Sequence, residues 1–416
     1  RPLRRGSPIE PTRDRTHFLL NRDQSEALKK LRFIHSGTVI LHGITGSGKT
    51  AITLYCAKTL HDQRRSFKII VYTNVLLKFI TAGASELNLP ADSATTLYRW
   101  ARQMYKDQIG PPPNGSNDIF SLWVDGLIAH WQRHPSLTPR YDYILIDEAQ
   151  DFKPNVATFL RMMARNSVVA ADLSQSLYED IQDREALRQR WAPLDTIHEV
   201  PRNYRNPHRI AALASVFLDP ATTNQADFLR RVKGRDGETP PIWSQVSGHK
   251  EQIDRICDII GQARGSVRIG ILYRHQNHLE QDQRALMQAG VQVQVALNRD
   301  QCSYDFNRPL PVLTTAHSAK GLEFDWVIVP GLDRDKWDGD PQDVKERNLL
   351  FVAMTRAQER LYLLSTKGQE CGFLHEILVD HGNLIQALGS QVGMRTYAAS
   401  TQSISHATAI NDDDPF

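Results

Sequence analysis

Two short stretches carry residue types whose spacing suits polyphosphate chemistry: GITGSGKT at Gly43–Thr50 and ILIDEAQD at Ile144–Asp151. A glycine-rich turn between a strand and a helix aims backbone N–H groups and the positive helix end at a polyphosphate. Gly43, Gly46 and Gly48 let the backbone approach, with Ser47 in the same turn. Lys49 suits the β- and γ-phosphate oxygens and the Thr50 hydroxyl suits Mg²⁺. In the second stretch an apolar strand ends in an acidic pair. Asp147 can hold Mg²⁺ directly or through water, and Glu148 is next in line to activate an attacking water. Taken singly, the first stretch could be a chance glycine-rich turn and the second a solvated acidic loop, since Asp151 also lies close by. Taken together, and with a strand before and a helix after the first, they read as two halves of a nucleoside-triphosphatase site.

Such a site must be carried by strands that end where the chemistry is. TVILHG (Thr38–Gly43), KIIVYT (Lys68–Thr73), YILID (Tyr143–Asp147) and SVVAAD (Ser167–Asp172) read as buried strands alternating with helical stretches. A second series begins near Ile197, with RIGILY (Arg268–Tyr273), VQVQVA (Val291–Ala296), VLTT (Val312–Thr315), WVIVP (Trp326–Pro330) and RLYLLS (Arg360–Ser365) as its strands. This alternation predicts an α/β protein with parallel sheets flanked by helices. The expected division is a basic arm over 1–15, a first domain over 16–198, a second over 199–390 and a disordered, acidic-ended tail over 391–416. Within the first domain, residues 103–140 include IGPPPNGSND and read as a loop-rich insertion.

Composition narrows the class. The chain has 416 residues, 41% hydrophobic and 23% charged, with a formal net charge of +3. That length allows two or three domains. No run approaches the ~18 apolar residues of a membrane span, and no basic-then-apolar leader opens the sequence, so no membrane partner and a cytoplasmic location are expected. Cys56, Cys257, Cys302 and Cys371 form no CxxC pair and read as reduced thiols, not as a zinc site. A near-neutral total is compatible with gripping a phosphate backbone, which needs a basic groove only.

LHGITGSGKT, DEAQDF, NYRN, HSAKGLEFD and FVAMTRAQERL, in the family's motif order, resemble the UvrD/Rep-type superfamily 1 helicases from about Asn21 to Leu364. The resemblance implies two tandem RecA-like motor domains with ATP and Mg²⁺ in the cleft between them and single-stranded nucleic acid across the top. That strand is expected to be DNA, with RNA left open, and movement along it 3′ to 5′. It further implies that Gln24 reads the adenine edge, Tyr204 stacks on adenine and Glu323 contacts the ribose. Gln175 in DLSQSLY would sense the γ-phosphate, and Arg205 and Arg356 would reach it from the second domain when the cleft closes. For strand contacts, Tyr72, Thr73 and Asn74 match the first contact motif, and Tyr98 and Trp100 the next. Thr315, His317 and Ser318 match the contact face around KGLEF. From the residues alone, Tyr72, Tyr98 and Trp100 serve equally well as core aromatics.

The chain also departs from the pattern. After SQSLY the family continues with glycine and a base-stacking tryptophan, where this chain has Glu179, Asp180 and Ile181. The large insertions that contact duplex look reduced or absent. The expectation is therefore an ATP-dependent translocase with limited unwinding; the alternative is a regulatory ATPase module of a larger protein or complex that carries a fused or associated nuclease. The terminal Asp412–Phe416 resembles the acidic tip of bacterial single-stranded-DNA-binding proteins. It is either a solubilising end or a tip that docks on a partner or on the chain's own strand-binding groove.

Overall fold

The computed structural model describes residues 20–31, 37–113, 119–172, 189–191, 197–220, 223–234, 239–263, 267–297, 304–305 and 308–388. The basic arm, Cys302, Gln175, the segment around Glu179 and the tail lie outside the described residues. The chain divides into two units after Asn203.

The first unit is built on β1 (Gly37–Gly43), β2 (Phe67–Val71), β3 (Ala94–Thr96), β4 (Tyr141–Ile146), β5 (Ala164–Ala171) and β6 (Ile197–Val200). They form one sheet in the order β3-β2-β4-β5-β1-β6, and every pair is parallel. Parallel strands need crossovers, and helices supply them on both faces, so the strands read as continuous apolar runs. Alternate residues divide between two cores. Val39, Leu41, Ile69, Val71 and Leu145 pack with α1 (Arg22–Leu31), α2 (Lys49–Asp62) and α3 (Asn74–Glu86). Ile40, Ile70, Ile144, Ile146 and Val169 pack with α4 (Leu97–Gln108), α5 (Ile119–Arg133) and α6 (Pro154–Met163).

Two expectations are corrected here. A boundary at residue 199 would cut β6, which pairs with β1 from Ile40↔Ile197 to Gly43↔Val200. Val200 is buried in the first core; a lone four-residue strand does not announce which sheet it will join. The stretch 103–140 is likewise no loop-rich insertion. It holds the end of α4 and all of α5, whose Trp123, Val124, Leu127 and Trp131 are buried. Their three- and four-residue spacing is a helix face, hidden in the sequence by the proline-rich run before it. Trp131 stacks on Phe159 at 5.1 Å and 13°. Gly126 allows the close approach of the two helices: a Cβ there would meet the Tyr105 ring at 2.8 Å.

The second unit is built on β7 (Ile242–Val246), β8 (Ile269–Tyr273), β9 (Gln294–Ala296), β10 (Val312–Thr315), β11 (Phe324–Val329), β12 (Ala357–Thr366) and β13 (Gln386–Leu388). The order is β13-β7-β12-β11-β8-β10-β9, again parallel throughout. Its helices are α7 (His208–Ser215), α8 (Gln225–Arg230), α9 (His249–Gln262), α10 (Gln276–Gln288), α11 (Val344–Met354) and α12 (Gly372–Asp380). β7 and β13 were not anticipated, and the run Val291–Ala296 is a strand only over its last three residues. Among the described residues no helix is long and apolar enough to cross a membrane.

Candidate functional site

In the first unit the loop after β1 and the ends of β4 and β5 meet at the C-terminal edge of the sheet, where ligands of open α/β sheets sit. The loop's shape needs its glycines. Gly46 and Gly48 have φ of 71° and 84°, in the left-handed region. A Cβ on Gly43 would fall 2.5 Å from Ser47 Oγ, and one on Gly48 would fall 2.0 Å from Gln24 Nε2. Gln24 lies this close because its Nε2 donates to the Ser47 carbonyl at 2.9 Å. Its own carbonyl accepts from Asn21 N.

Lys49 opens α2 and is buried. Its Nζ donates to the Gly43 and Ile44 carbonyls at 2.8 and 3.3 Å and pairs with Asp172 Oδ2 at 3.4 Å. The ammonium is thus held over the loop that a polyphosphate would fill. Ser47 Oγ is buried without a hydrogen-bond partner. A buried hydroxyl with nothing to bond costs free energy, and a phosphate oxygen or a water in the loop would supply its partner.

The acidic side is equally close-knit. Thr50 Oγ1 donates to Asp147 Oδ2 at 2.6 Å, joining residues 97 apart in sequence. Asp147 is fully buried, and burial, then the neighbouring Glu148, pushes its carboxyl up to about 6 against the opposing pull of Thr50 and Lys49. Two hard oxygens side by side fit Mg²⁺, and a buried carboxylate of raised proton affinity is one that a cation would stabilise. Glu148 adopts φ 57°, ψ 44°, a region a glutamate enters only under tertiary constraint. Its carboxylate accepts from Gln150 Nε2 at 2.5 Å, and Gln150 Oε1 in turn accepts from Asp172 N at 3.0 Å. Asp172 and Gln150 were missed in the sequence reading. The available signal for Asp172 was the one used for Asp147, an acid closing an apolar strand.

The strand-contact candidates of this unit lie on the same sheet edge. Tyr72 follows β2 and Tyr98 lies just past β3, the neighbouring strand. Tyr72 is 37% exposed, with its ring edge on Phe152. Thr73 is the N-cap of α3 and accepts from Leu76 N at 3.1 Å, and Asn74 is the first residue of that helix. Tyr98 is 44% exposed and stacks on Phe120 at 6.1 Å and 24°. Trp100 packs edge-on against Tyr141 and Phe159 beside the core, which fits its plainer reading. Phe120 is a further candidate that sequence reasoning missed, because α5 was not recognised as a helix facing Tyr98.

In the second unit the arginines are engaged. Arg205 pairs with Glu323, whose other oxygen accepts from Gln358 Nε2 at 2.6 Å. Burial would raise the Glu323 carboxyl, but Arg205, helped by Arg268 and Arg356, outweighs it and holds the group below its usual value. Arg356 is 1% exposed and donates to the Val352 and Leu322 carbonyls at 3.0 and 3.4 Å. Tyr204, next to Arg205, is half-buried. Thr315, closing β10, bonds Ser318 twice: its hydroxyl donates to Ser318 Oγ at 3.0 Å and accepts from Ser318 N at 3.2 Å. His317 lies between them on the turn and is exposed.

Residues 312–364 match the family model of the UvrD-like helicase C-terminal domain. A probable DNA helicase of Mycoplasma pneumoniae is 24% identical over 261 residues, 58% of this chain and 46% of that protein. DNA helicase IV of Escherichia coli is 24% identical over 267 residues, 57% of this chain and 36% of its own length. Among solved structures, the C-terminal domain of a Lactobacillus protein described as a possible DNA helicase is 22% identical with a TM-score of 0.34, covering 44% of this chain and 98% of that one. The chain thus spans less than half the length of the curated relatives named here. The chain is thus similar to DNA helicases over more than half of its residues, and its segment 312–364 matches the UvrD-like helicase C-terminal domain.

Proposed function

We propose that this chain is an ATP-hydrolysing motor that moves 3′ to 5′ along single-stranded DNA in the cytoplasm and unwinds duplex only to a limited extent. The observation that supports it most is the buried set around the phosphate loop: the unpartnered Ser47 Oγ, the Lys49 ammonium over the loop, and Thr50 bonded to Asp147 beside Glu148.

In this reading Lys49 exchanges its carbonyl partners for β- and γ-phosphate oxygens, and the loop N–H groups and Ser47 Oγ bond the same phosphates. Thr50 and Asp147 would hold Mg²⁺, which supplies neutralisation of the phosphate charge. Glu148, fixed by Gln150, orients a water in line with the γ-phosphate and takes its proton. Gln24 reads the adenine edge from its seat on the loop, Tyr204 stacks on the base and Glu323 contacts the ribose. Gln175 senses the γ-phosphate. Arg205 and Arg356 leave Glu323 and the backbone carbonyls to meet the γ-phosphate and return when it departs, so that hydrolysis drives a change of state. The strand contacts Tyr72, Thr73, Asn74, Tyr98 and Phe120 of one unit and Thr315, His317 and Ser318 of the other, its bases stacking on the exposed rings of Tyr72 and Tyr98, the latter backed by the half-buried Phe120.

ATP turnover measured with and without single-stranded DNA, single-stranded RNA and duplex tests this reading, together with displacement of short strands from 3′- and 5′-tailed substrates. Strong stimulation by single-stranded DNA and displacement from the 3′-tailed substrate alone is the expected result. Turnover indifferent to every nucleic acid, or fast unwinding of long blunt duplex, would sink it.

A further inference from the structure

β8 ends at Tyr273 and is followed at once by a guanidinium, Arg274, and an imidazole, His275. It lies beside β10, whose end carries Thr315 and the turn with His317 and Ser318. Although the His317 side chain reaches solvent, partial desolvation of its ring and then Arg274 lower its proton affinity, Glu346 opposes them and His275 adds a smaller push down, so these groups share one electrostatic neighbourhood.

Neither side chain is bare. Arg274 Nε and Nη2 donate to the two oxygens of Glu346 at 2.8 and 2.5 Å, a two-point pair whose side chains are 16% and 17% exposed. His275 Nε2 lies 2.7 Å from Asp338 Oδ1, and that bond, with the imidazole's charge, holds the Asp338 carboxyl below its usual value. Both acids come from one segment, running from the end of β11 into α11. The segment is anchored: Trp337 is buried, and Lys336 Nζ pairs with Asp333 at 3.0 Å. Asp333 also accepts from Thr366 N and Oγ1 at 2.6 and 2.9 Å. Gly339 lies so close to the acid that a Cβ there would fall 2.3 Å from Glu346 Oε2. The carboxylates are therefore delivered to Arg274 and His275 by a fixed framework.

We propose that Glu346, seconded by Asp338, is a built-in competitor for the nucleic-acid backbone: it occupies Arg274 as a phosphate would, so a strand must displace a carboxylate before this edge contributes to binding. The inference rests on the strand-binding reading above. Glu346 and Asp338 are positioning residues that touch no substrate, and they keep the grip of this edge weak enough for a stepping motor to release it. The exchange is balanced, because one anion replaces another at the same guanidinium edge.

The test is an anisotropy titration of labelled oligodeoxythymidine over a salt series. It compares the unmodified chain, Glu346→Gln, Asp338→Asn and the Arg274→Gln/Glu346→Gln double variant. Glu346→Gln is expected to tighten binding about fivefold at low salt, the scale of one partly exposed ion pair. It should also steepen the slope of log affinity against log salt by about 0.7, one more single-strand phosphate contact. Asp338→Asn should act in the same direction and less, and the double variant should lose the gain. A purely structural pair would leave the slope unmoved. Unchanged or weaker binding by Glu346→Gln with native-like thermal unfolding, or a gain that persists in the double variant, overturns the proposal. If Glu346→Gln does not fold, Asp338→Asn decides alone. Failure of the unmodified chain to bind any oligodeoxythymidine would instead remove the strand-binding reading, and this inference with it.

Discussion

In the first unit the charged groups converge at the C-terminal edge of the sheet on a loop whose shape, buried hydroxyl and raised Asp147 carboxyl all favour an incoming phosphate and cation. In the second unit the corresponding charges lie at two edges and are already partnered. Glu323 and Arg356 immediately precede β11 and β12, adjacent strands, where Arg205 pairs with Glu323 and Arg356 is held by backbone carbonyls. Arg274 follows β8 and Thr315 closes the adjacent β10 at the opposite edge. The first unit thus leaves a buried hydroxyl open at its loop, whereas the second holds its cations in ion pairs and carbonyl bonds.

The largest test of that contrast is Lys49→Ala, which should abolish ATP hydrolysis in a coupled turnover assay; residual turnover within about tenfold of the parent would mean that the loop is not the phosphate seat. Arg205→Ala and Arg356→Ala should follow, each lowering the maximal rate by about 10³–10⁵ with little change in nucleotide affinity. Arg356→Ala should also lower the unfolding temperature, because the Leu322 carbonyl loses a donor and the Val352 carbonyl keeps only that of Thr355 Oγ1 among its side-chain donors. Normal turnover in either variant would remove that arginine from the cycle. Glu148→Gln should cost about 10²–10⁴ in rate while leaving nucleotide binding intact by equilibrium titration. Phe120→Ala should raise the single-stranded DNA concentration for half-maximal stimulation by about tenfold, the scale of one lost base stack. An unchanged value would return the Tyr98–Phe120 stack to a structural role.

The smallest effect is on stability and has a definite sign. The Asp147 carboxyl is raised from 3.8 to about 6 in the folded chain, so the native state holds its proton more tightly than the unfolded chain does. Its favourable contribution is present below pH ~4 and is lost as pH rises to about 6. Without nucleotide and Mg²⁺, Asp147→Asn should therefore stabilise the protein above that window by about 1–3 kcal/mol, from a shift of about two units. Thermal unfolding across pH 4 to 8 measures it, and a variant that unfolds at lower temperature at neutral pH would refute that account of the Asp147 carboxyl.

Much of this was legible because it is local. The loop from Gly43 to Thr50 needs only neighbouring backbone geometry, which glycines advertise, and the acid closing YILID sits where a buried strand must surface. α5 was not legible, since the prolines before it mask a helix whose periodicity appears only once Trp123, Leu127 and Trp131 face a core. Nor was the sheet to which β6 belongs, which depends on β1 having an open edge more than 150 residues earlier. The sequence by itself determined the residue types of the nucleotide site, the order of its motifs and the α/β class, because strand, turn and helix propensities act over a few residues. Only the tertiary structure decided what each charge is bonded to. Asp172 meets Lys49 across 123 positions and Glu346 meets Arg274 across 72. Pairings at such separations are set by which strands lie side by side, and not by any propensity of the residues that make them.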